Sequence, residues 1–180
     1  GQWVSPDQEA LKEVIDELGL ETYSRYREGD SVYIGPEGGL TRFTGEIFPV
    51  GPETEREMVR LIEKLDALVA QIDADAPWEH PDAEALDRVS FQAWLEAETA
   101  EQEARDNIAL FIAGAMLTKP AYAFSALQAL LMAASAGSFS HLVDADYILD
   151  ERVVGGLQQV PLLLAERLGD DVLLDQAVSE

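Results

Sequence analysis

The chain begins Gly1-Gln2-Trp3-Val4-Ser5-Pro6-Asp7-Gln8, and this stretch predicts the end of a strand that runs directly into a helix. Ser5, Pro6 and Gln8 suit the N-cap, N1 and N3 positions of a capping box, in which side chains satisfy free backbone N–H groups. The opening strand has no partner before it, and residues 171–180 have the pattern of a strand, a turn and a second strand. We therefore expect the chain to be a segment of a larger protein.

The next residues predict a helix and a β-hairpin. Gly19 is placed to end the helix, whose apolar face has helical spacing and consists of Leu11, Val14, Ile15 and Leu18. Strand patterns at 31–35 and 40–44 flank turn residues at 36–39, which is typical of a hairpin.

Residues 52–98 predict a long helix, a loop and a short helix. The long helix begins near Pro52, and its apolar face consists of Met58, Leu61, Ile62, Leu65, Leu68, Val69 and Ile72. The loop spans residues 73–82, and we expect Trp78 to pack from it against the core. Ser90 is predicted to cap the short helix that follows.

Residues 99–137 predict two further helices. Thr99 and Gln102 suit a capping box that opens a helix as far as about Met116, with Ile108, Phe111, Ile112 and Ala115 facing inward. Residues 123–136 are apolar on nearly every side, which predicts a buried helix, and Gly137 ends it.

The last third predicts strands around one helix. Residues 147–149 have the pattern of a short strand or extended segment, and residues 172–174 have that of a strand. Gly155-Gly156 introduces a helix that Gly169 ends. A mostly helical middle bracketed by short strands indicates the α+β class with helix predominating.

Composition narrows the classes of function. The 35 acidic and 12 basic residues give a net charge of -23, which repels phosphate backbones, so we expect no nucleic-acid partner. The longest apolar stretch, residues 121–137, is too short and too polar for a membrane span of about 20 residues. We expect a cytoplasmic protein without a membrane segment. The chain has no Cys and only two separated His, so we expect no metal site.

The residues by themselves show no catalytic constellation. Carboxylates abound, but no pair lies in an apolar sequence context that would favour acid–base catalysis. Ser5 is accounted for by capping, and His141 is interpreted as a structural histidine. Gly155-Gly156 could present a helix N-terminus to an anion, although a simple turn is the commoner role of such a pair. No catalytic or metal-binding residue is assigned.

Several stretches together resemble the flavin-containing amine oxidases. They are the opening octapeptide, Glu17-Leu18-Gly19-Leu20-Glu21-Thr22-Tyr23, Ala76-Pro77-Trp78, Val154-Gly155-Gly156 and Leu168-Gly169-Asp170. Within the family, residues 111–120 (FIAGAMLTKP) and 131–140 (LMAASAGSFS) resemble the bacterial putrescine oxidases more closely than the animal monoamine oxidases. The resemblance runs over essentially the whole chain.

This resemblance implies an FAD-linked fold of two interleaved parts, an FAD domain and a substrate domain. Residues 1–30 would be an FAD-contacting loop and the first helix. Residues 31–155 would be a predominantly helical substrate-binding domain bracketed by short strands, and residues 156–180 the helix and strand that return to the FAD domain. The Gly-x-Gly-x-x-Gly fingerprint of the family is expected upstream.

The resemblance also implies cofactor-binding residues. Gly1, Gln2 and Trp3 match the family's opening loop, in which the aromatic residue lies near the flavin ring and the substrate. Val178 matches a valine whose backbone meets the adenine end of FAD.

Substrate-pocket residues follow in the same way. Leu142 matches an apolar gating residue between the entrance and the substrate cavity. Phe111, Gly114, Ala115 and Met116 fall on a helix that lines this cavity, where the small residues would leave a narrow slot for an unbranched aliphatic chain.

The function implied is FAD-dependent oxidation of putrescine or a similar primary amine to an aldehyde, with release of ammonia and hydrogen peroxide and with oxygen as second substrate. We expect activity in the full-length protein, no activity in this chain alone, and a homodimer. Apolar surface that the missing part of the protein leaves exposed would favour self-association of this chain. The alternative is a non-catalytic, acidic helical binding module that engages a basic partner.

Overall fold

The computed structural model describes residues 2–45, 48–144, 147 and 149–177. The chain divides into two compact units. The terminal unit comprises Gly1–Arg27 and Asp146–Glu180, and the central unit comprises Glu28–Ala145. The boundaries predicted after residues 30 and 155 differ from these divisions, most at the second one. The difference arises because the strand Glu151–Val153 pairs with Thr22–Ser24 and therefore belongs to the terminal unit.

The described residues form short strands and longer helices. The strands are β1 (Thr22–Ser24), β2 (Ser31–Ile34), β3 (Leu40–Phe43) and β4 (Glu151–Val153). The α-helices are α1 (Glu9–Glu17), α2 (Pro52–Val69), α3 (Ala83–Asp87), α4 (Phe91–Glu98), α5 (Gln102–Ala109), α6 (Ala126–Ser135), α7 (Phe139–Val143) and α8 (Gln159–Leu168). A π-helix covers Leu110–Leu117, and 3-10 turns cover Pro77–Glu79, Ala121–Ala123 and Gly169–Asp171. Helix predominates over strand, as predicted.

The terminal unit is built on the antiparallel pair β1–β4, in which Thr22 lies opposite Val153. The opening segment extends this pairing, because Val4 and Glu151 exchange two backbone hydrogen bonds of 2.9 and 3.0 Å. A small apolar core forms around Val4, Ile15 and Val153, and Leu11, Leu20, Leu157 and Val160 pack against it.

The first helix begins later than predicted, at Glu9. The N–H of Gln8 donates to the carbonyl of Ser5 at 3.2 Å, and the Ser5 N–H donates to the side-chain oxygen of Gln8 at the same distance. Ser-Pro-Asp-Gln thus forms a turn before the helix. Proline at the second position suits a turn as well as a first helical residue, which explains the difference.

The central unit combines the β2–β3 hairpin with a helical core. Ser31 pairs with Phe43 and Ile34 with Leu40, as the strand patterns predicted. Helix α2 begins at Pro52, and its predicted apolar face is buried at Leu61, Leu65 and Val69. The facing helices contribute further fully buried side chains, which include Phe91, Leu95, Ile108, Ala129, Ala133 and Phe139.

Two predictions in the connections of the central unit are wrong. Trp78 is 69% exposed, and it is Pro77 that is buried. A three-residue 3-10 turn cannot bury all of its side chains, and in this turn the buried residue is the proline. Thr99 ends α4, and the N-cap of α5 is Glu101, whose carboxylate accepts from the Ala104 N–H at 2.5 Å. Ser90 caps α4 as predicted.

Two predicted strands are also absent from the described residues. Leu149 has a positive φ of 56° within a turn, and the strand begins two residues later at Glu151; Ile148 lies outside the described residues. Residues 172–174 are not a strand. Leu173 and Leu174 are 75% and 78% exposed, and no described segment pairs with them to supply the ladder hydrogen bonds that define a strand.

Candidate functional site

The residues predicted for the site lie in both units. Gln2 and Trp3 belong to the terminal unit. The central unit holds Leu142 on α7 and the π-helix residues Phe111, Gly114, Ala115 and Met116. Gly1 and Val178 lie outside the described residues. The two groups are therefore described separately.

Trp3 is held by strand β4. Because Val4 bridges to Glu151, Trp3 and Arg152 become cross-strand neighbours, and the guanidinium carbon of Arg152 lies 3.9 Å from the Trp3 ring centroid. The Arg152 Nε is buried, and no described residue accepts a hydrogen bond from it. The opening segment thus offers a half-buried indole whose orientation is held by Arg152. An indole held in this way fits the aromatic ring of a flavin.

The candidate pocket wall is a π-helix rather than the α-helix that was predicted. The wider turn brings Ile112 and Ala113 into the core and leaves Ala115 exposed. The predicted inward position of Ala115 is therefore wrong, because it assumed the α-helical period. The segment ends where the Lys119 N–H donates to the carbonyl of Ala113 at 3.0 Å and Thr118 adopts a φ of 49°. Irregular π turns of this kind are frequent at functional sites.

Phe111 stands in a row of four rings, which we call the aromatic row: Tyr33, Phe48, Phe111 and Phe139. Phe48 stacks on Tyr33 at 5.5 Å and on Phe111 at 5.9 Å between ring centroids. Phe139 meets Phe111 edge to face at 6.3 Å. The ring of Phe111 is therefore confined on two sides by other aromatic side chains.

One end of the aromatic row is anchored by a polar cluster. The Tyr33 hydroxyl donates to Glu103 Oε1 at 2.8 Å, and Thr54 Oγ1 donates to Glu103 Oε2 at 3.1 Å. The side-chain amide of the buried Asn107 donates to the Tyr33 oxygen at 3.1 Å. Burial raises the pKa of the Tyr33 phenol above its ordinary value, and the adjacent Glu103 carboxylate acts in the same direction. Tyr33 is therefore a neutral hydrogen-bond donor at physiological pH.

The other end is anchored by Asp66 of α2. Its Oδ1 accepts from the backbone N–H groups of Phe139 at 2.7 Å and Ser140 at 3.1 Å, and its Oδ2 accepts from the Ser140 hydroxyl. These bonds fix the first turn of α7, which carries the buried Leu142.

Gly114 is covered by the side chain of Leu110. A Cβ added at residue 114 would lie 2.9 Å from Leu110 Cδ1. Leu110 is 51% exposed, so part of the slot predicted above Gly114 is occupied by a side chain that can move. Beside it lies a groove of about 470 Å³ whose lining includes Leu110, Ala113 and Gly114 and charged residues of both signs, among them Asp106 and Lys119.

The predictions from sequence missed the anchoring residues Phe48, Asp66 and Glu103. Asp66 directly follows Leu65, at the edge of the apolar face of α2, and Glu103 precedes Asn107 by one helical turn. Both positions indicate polar groups that border a core, but their hydrogen-bond partners are up to 74 residues away in sequence. Only the folded chain identifies those partners.

The described residues include neither a candidate metal centre nor a membrane-spanning helix. They contain no group of three or more His, Cys, Asp or Glu side chains that could hold a metal ion. None of their helices has the length and apolar character needed to cross a bilayer.

Comparison with known proteins gives consistent matches. The model of the family described as flavin containing amine oxidoreductase matches residues 1–180. Putrescine oxidase from Kocuria rosea is 58% identical over 173 residues, which are 96% of this chain and 36% of that protein.

Solved structures agree with these sequence matches. A putrescine oxidase bound to putrescine superposes with a TM-score of 0.92 at 64% identity, covering 96% of this chain and 38% of that one. Cyclohexylamine oxidase from Brevibacterium oxydans gives 0.84 at 25% identity, covering 95% of this chain and 38% of that one. The chain thus spans little more than a third of the length of these relatives. With its whole length matched by the family model, the chain belongs to the flavin-containing amine oxidases.

Proposed function

We propose that this chain is part of an FAD-dependent oxidase that converts putrescine, or a similar unbranched primary amine, to an aldehyde. The overall reaction consumes one amine, one oxygen and one water, and it releases one aldehyde, one ammonia and one hydrogen peroxide. The observation that carries the proposal is the similarity, in sequence and in fold, to a putrescine oxidase solved with putrescine bound.

Within the full-length protein, we assign the central unit to substrate binding and the terminal unit to contact with FAD. Gln2 and Trp3, together with Gly1 and Val178, would contact the cofactor. Phe111, Gly114, Ala115, Met116 and Leu142 would line the substrate pocket, with Trp3 at its flavin end. The aromatic row supports this assignment, because it gives Phe111 a fixed position beside two small residues.

In the proposed reaction, the residues of this chain bind the substrate and exclude water from it. FAD, when bound, supplies the acceptor for the hydride that leaves the carbon next to the amine nitrogen. The amine must react as the neutral base, since a positive nitrogen disfavours loss of hydride from its neighbour. Apolar groups such as Phe111 and Leu142 lower the amine pKa by desolvating the charged form. They thereby raise the fraction of substrate that can react.

Expression of the full-length protein tests the proposal. We expect a yellow protein with flavin absorption that releases hydrogen peroxide and ammonia when putrescine is added. Phe111→Ala should raise KM for putrescine, while Val32→Ala on the exposed hairpin provides a matched control. A colourless protein, or a flavoprotein that produces no peroxide with any primary amine, would contradict the proposal.

The remaining expectations have separate tests. The 180-residue chain alone should neither bind FAD tightly nor oxidise amines, which flavin titration and a peroxide assay can measure. A homodimer of the full-length protein would be seen by sedimentation. The relatives reported above are oxidases and give no support to a non-catalytic binding module.

A further inference from the structure

We propose that Asp66 is a positioning residue of the substrate pocket. Its carboxylate fixes α7 and, through Phe139, the π-helix that carries Phe111. This inference rests on the proposed function, because it assigns a role to the pocket wall.

The geometry of the first turn of α7 carries the argument. The first N–H groups of a helix have no intrahelical partner and must be satisfied by other groups. In α7, Asp66 accepts from the N–H groups of Phe139 and Ser140, and the Ser138 hydroxyl accepts from His141 at 3.0 Å. The Asp66 carboxylate also places a negative charge at the positive end of the helix. Because α7 has only five residues, it depends on these external bonds far more than a long helix does.

Asp66 itself has a fixed position. It follows Leu65 on α2 and precedes Val69 by three residues, and both apolar side chains are buried in the core. Their packing holds the backbone of α2 at this point. The carboxylate is therefore a rigid reference point, 73 residues away in sequence from the amide that it binds.

Two candidate wall residues depend on this anchor. Leu142 follows Ser140 by two residues on α7 and is buried. Phe139 packs edge to face on Phe111. The backbone N–H of Phe139 also makes the shorter of the two amide hydrogen bonds to Asp66. A displacement of α7 would therefore move Leu142 directly and Phe111 through ring contact. Contacts between these side chains and an unreacting part of the substrate stabilise the ground state and the transition state equally, so their loss raises KM and leaves kcat nearly unchanged.

The variants Asp66→Ala, Asp66→Asn and Ser140→Ala of the full-length oxidase test the proposal. Asn retains an acceptor for the two amides, and Ser140→Ala removes only the hydroxyl bond. We expect Asp66→Ala to raise KM for putrescine about tenfold while kcat changes by less than about threefold, the pattern of lost ground-state binding. Relative activity toward the bulkier amine benzylamine should rise. Asp66→Asn should restore most of the lost affinity, and Ser140→Ala should have a smaller effect in the same direction.

Glu63→Gln, at an exposed position of the same helix, is the matched control and should behave like the parent. If Asp66→Ala does not fold, KM for putrescine and the relative activity toward benzylamine are compared between Ser140→Ala, Asp66→Asn and the parent. This comparison then decides whether the Asp66 anchor positions the pocket. Variants with lower thermal stability but the parent's KM and amine preference would show a merely structural role and overturn the proposal. A parent protein that oxidises no amine would instead overturn the proposed function, so the two failures are distinguishable.

Discussion

The guanidinium group of Arg152 lies against the indole face of Trp3, with 3.9 Å between its central carbon and the ring centroid. The contact follows from the antiparallel bridge between Val4 and Glu151, which places the two residues on the same face. Such a cation–π contact stabilises a fold by about 0.5–2 kcal/mol. It also fixes the orientation of the aromatic residue that we assign to the flavin end of the pocket.

Replacing Arg152 should therefore affect both stability and flavin environment. We expect Arg152→Gln to lower the free energy of unfolding by about 1 kcal/mol and to alter the absorption spectrum of the bound flavin. Arg152→Lys should have the smaller effect, since it keeps a positive charge near the indole, although an ammonium does not stack on it as a planar guanidinium does. Urea unfolding and visible spectroscopy measure the two effects. An unchanged flavin spectrum in Arg152→Gln would show that Trp3 does not lie near the flavin.

The core of the central unit should be sensitive to loss of volume at Leu61. This side chain is 0% exposed on α2, so Leu61→Ala is expected to cost about 2–5 kcal/mol of unfolding free energy through lost burial and a residual cavity. Leu162→Ala, at a 57% exposed position of α8, should stay within about 0.5 kcal/mol. Denaturant midpoints followed by circular dichroism compare the two. Equal midpoints would show that Leu61 is not a core residue.

Tyr33 should make stability depend on alkaline pH. Burial raises its pKa in the folded protein, so above the unfolded value of about 10 the folded state retains a proton that the unfolded state loses. The stabilisation is thus complete below pH 10 and is lost as the pH rises through the folded pKa.

We expect Tyr33→Phe to reduce the fall in unfolding free energy above pH 10. Tyr26→Phe, which removes an 80% exposed phenol, should leave that fall as it is in the parent. The unfolding free energy is measured for both variants at pH 8 to 11. If it depends on pH in the same way in both, Tyr33 is not the source of the alkaline loss of stability.

Gly114 should control the width of the slot in the full-length enzyme. An added Cβ meets Leu110 Cδ1 at 2.9 Å, and relief of this contact would move Leu110 away from its present position. One extra methyl group in an apolar pocket changes kcat/KM by about tenfold or more, and we expect Gly114→Ala to lower kcat/KM for putrescine by about that amount. Gly39→Ala, where no atom lies within 4 Å of the added Cβ, is the control. Steady-state kinetics that fail to distinguish the two variants would place residue 114 outside the pocket.

Some features could be predicted from sequence because their causes are local. The hairpin at 31–43, the start of α2 at Pro52, the Ser90 cap and the end of α6 at Gly137 each depend on residues a few positions apart. The apolar periodicity of α2 identified its buried face for the same reason. Family membership also followed from the sequence, since the resemblance extends along the whole chain.

Other features depend on partners that are distant in sequence, and only the tertiary structure decided them. The π-helix at Leu110–Leu117 changes which small residues face the core, and α-helical periodicity does not predict this change. The strand at Glu151–Val153 forms where β1 offers hydrogen bonds, and in the turn at Pro77–Glu79 it is Pro77 that is buried while Trp78 is exposed. The Asp66 and Glu103 anchors act across about seventy residues. The sequence by itself determined the family and the places of most α-helices; packing between remote segments determined the π-helix and how the proposed pocket wall is held.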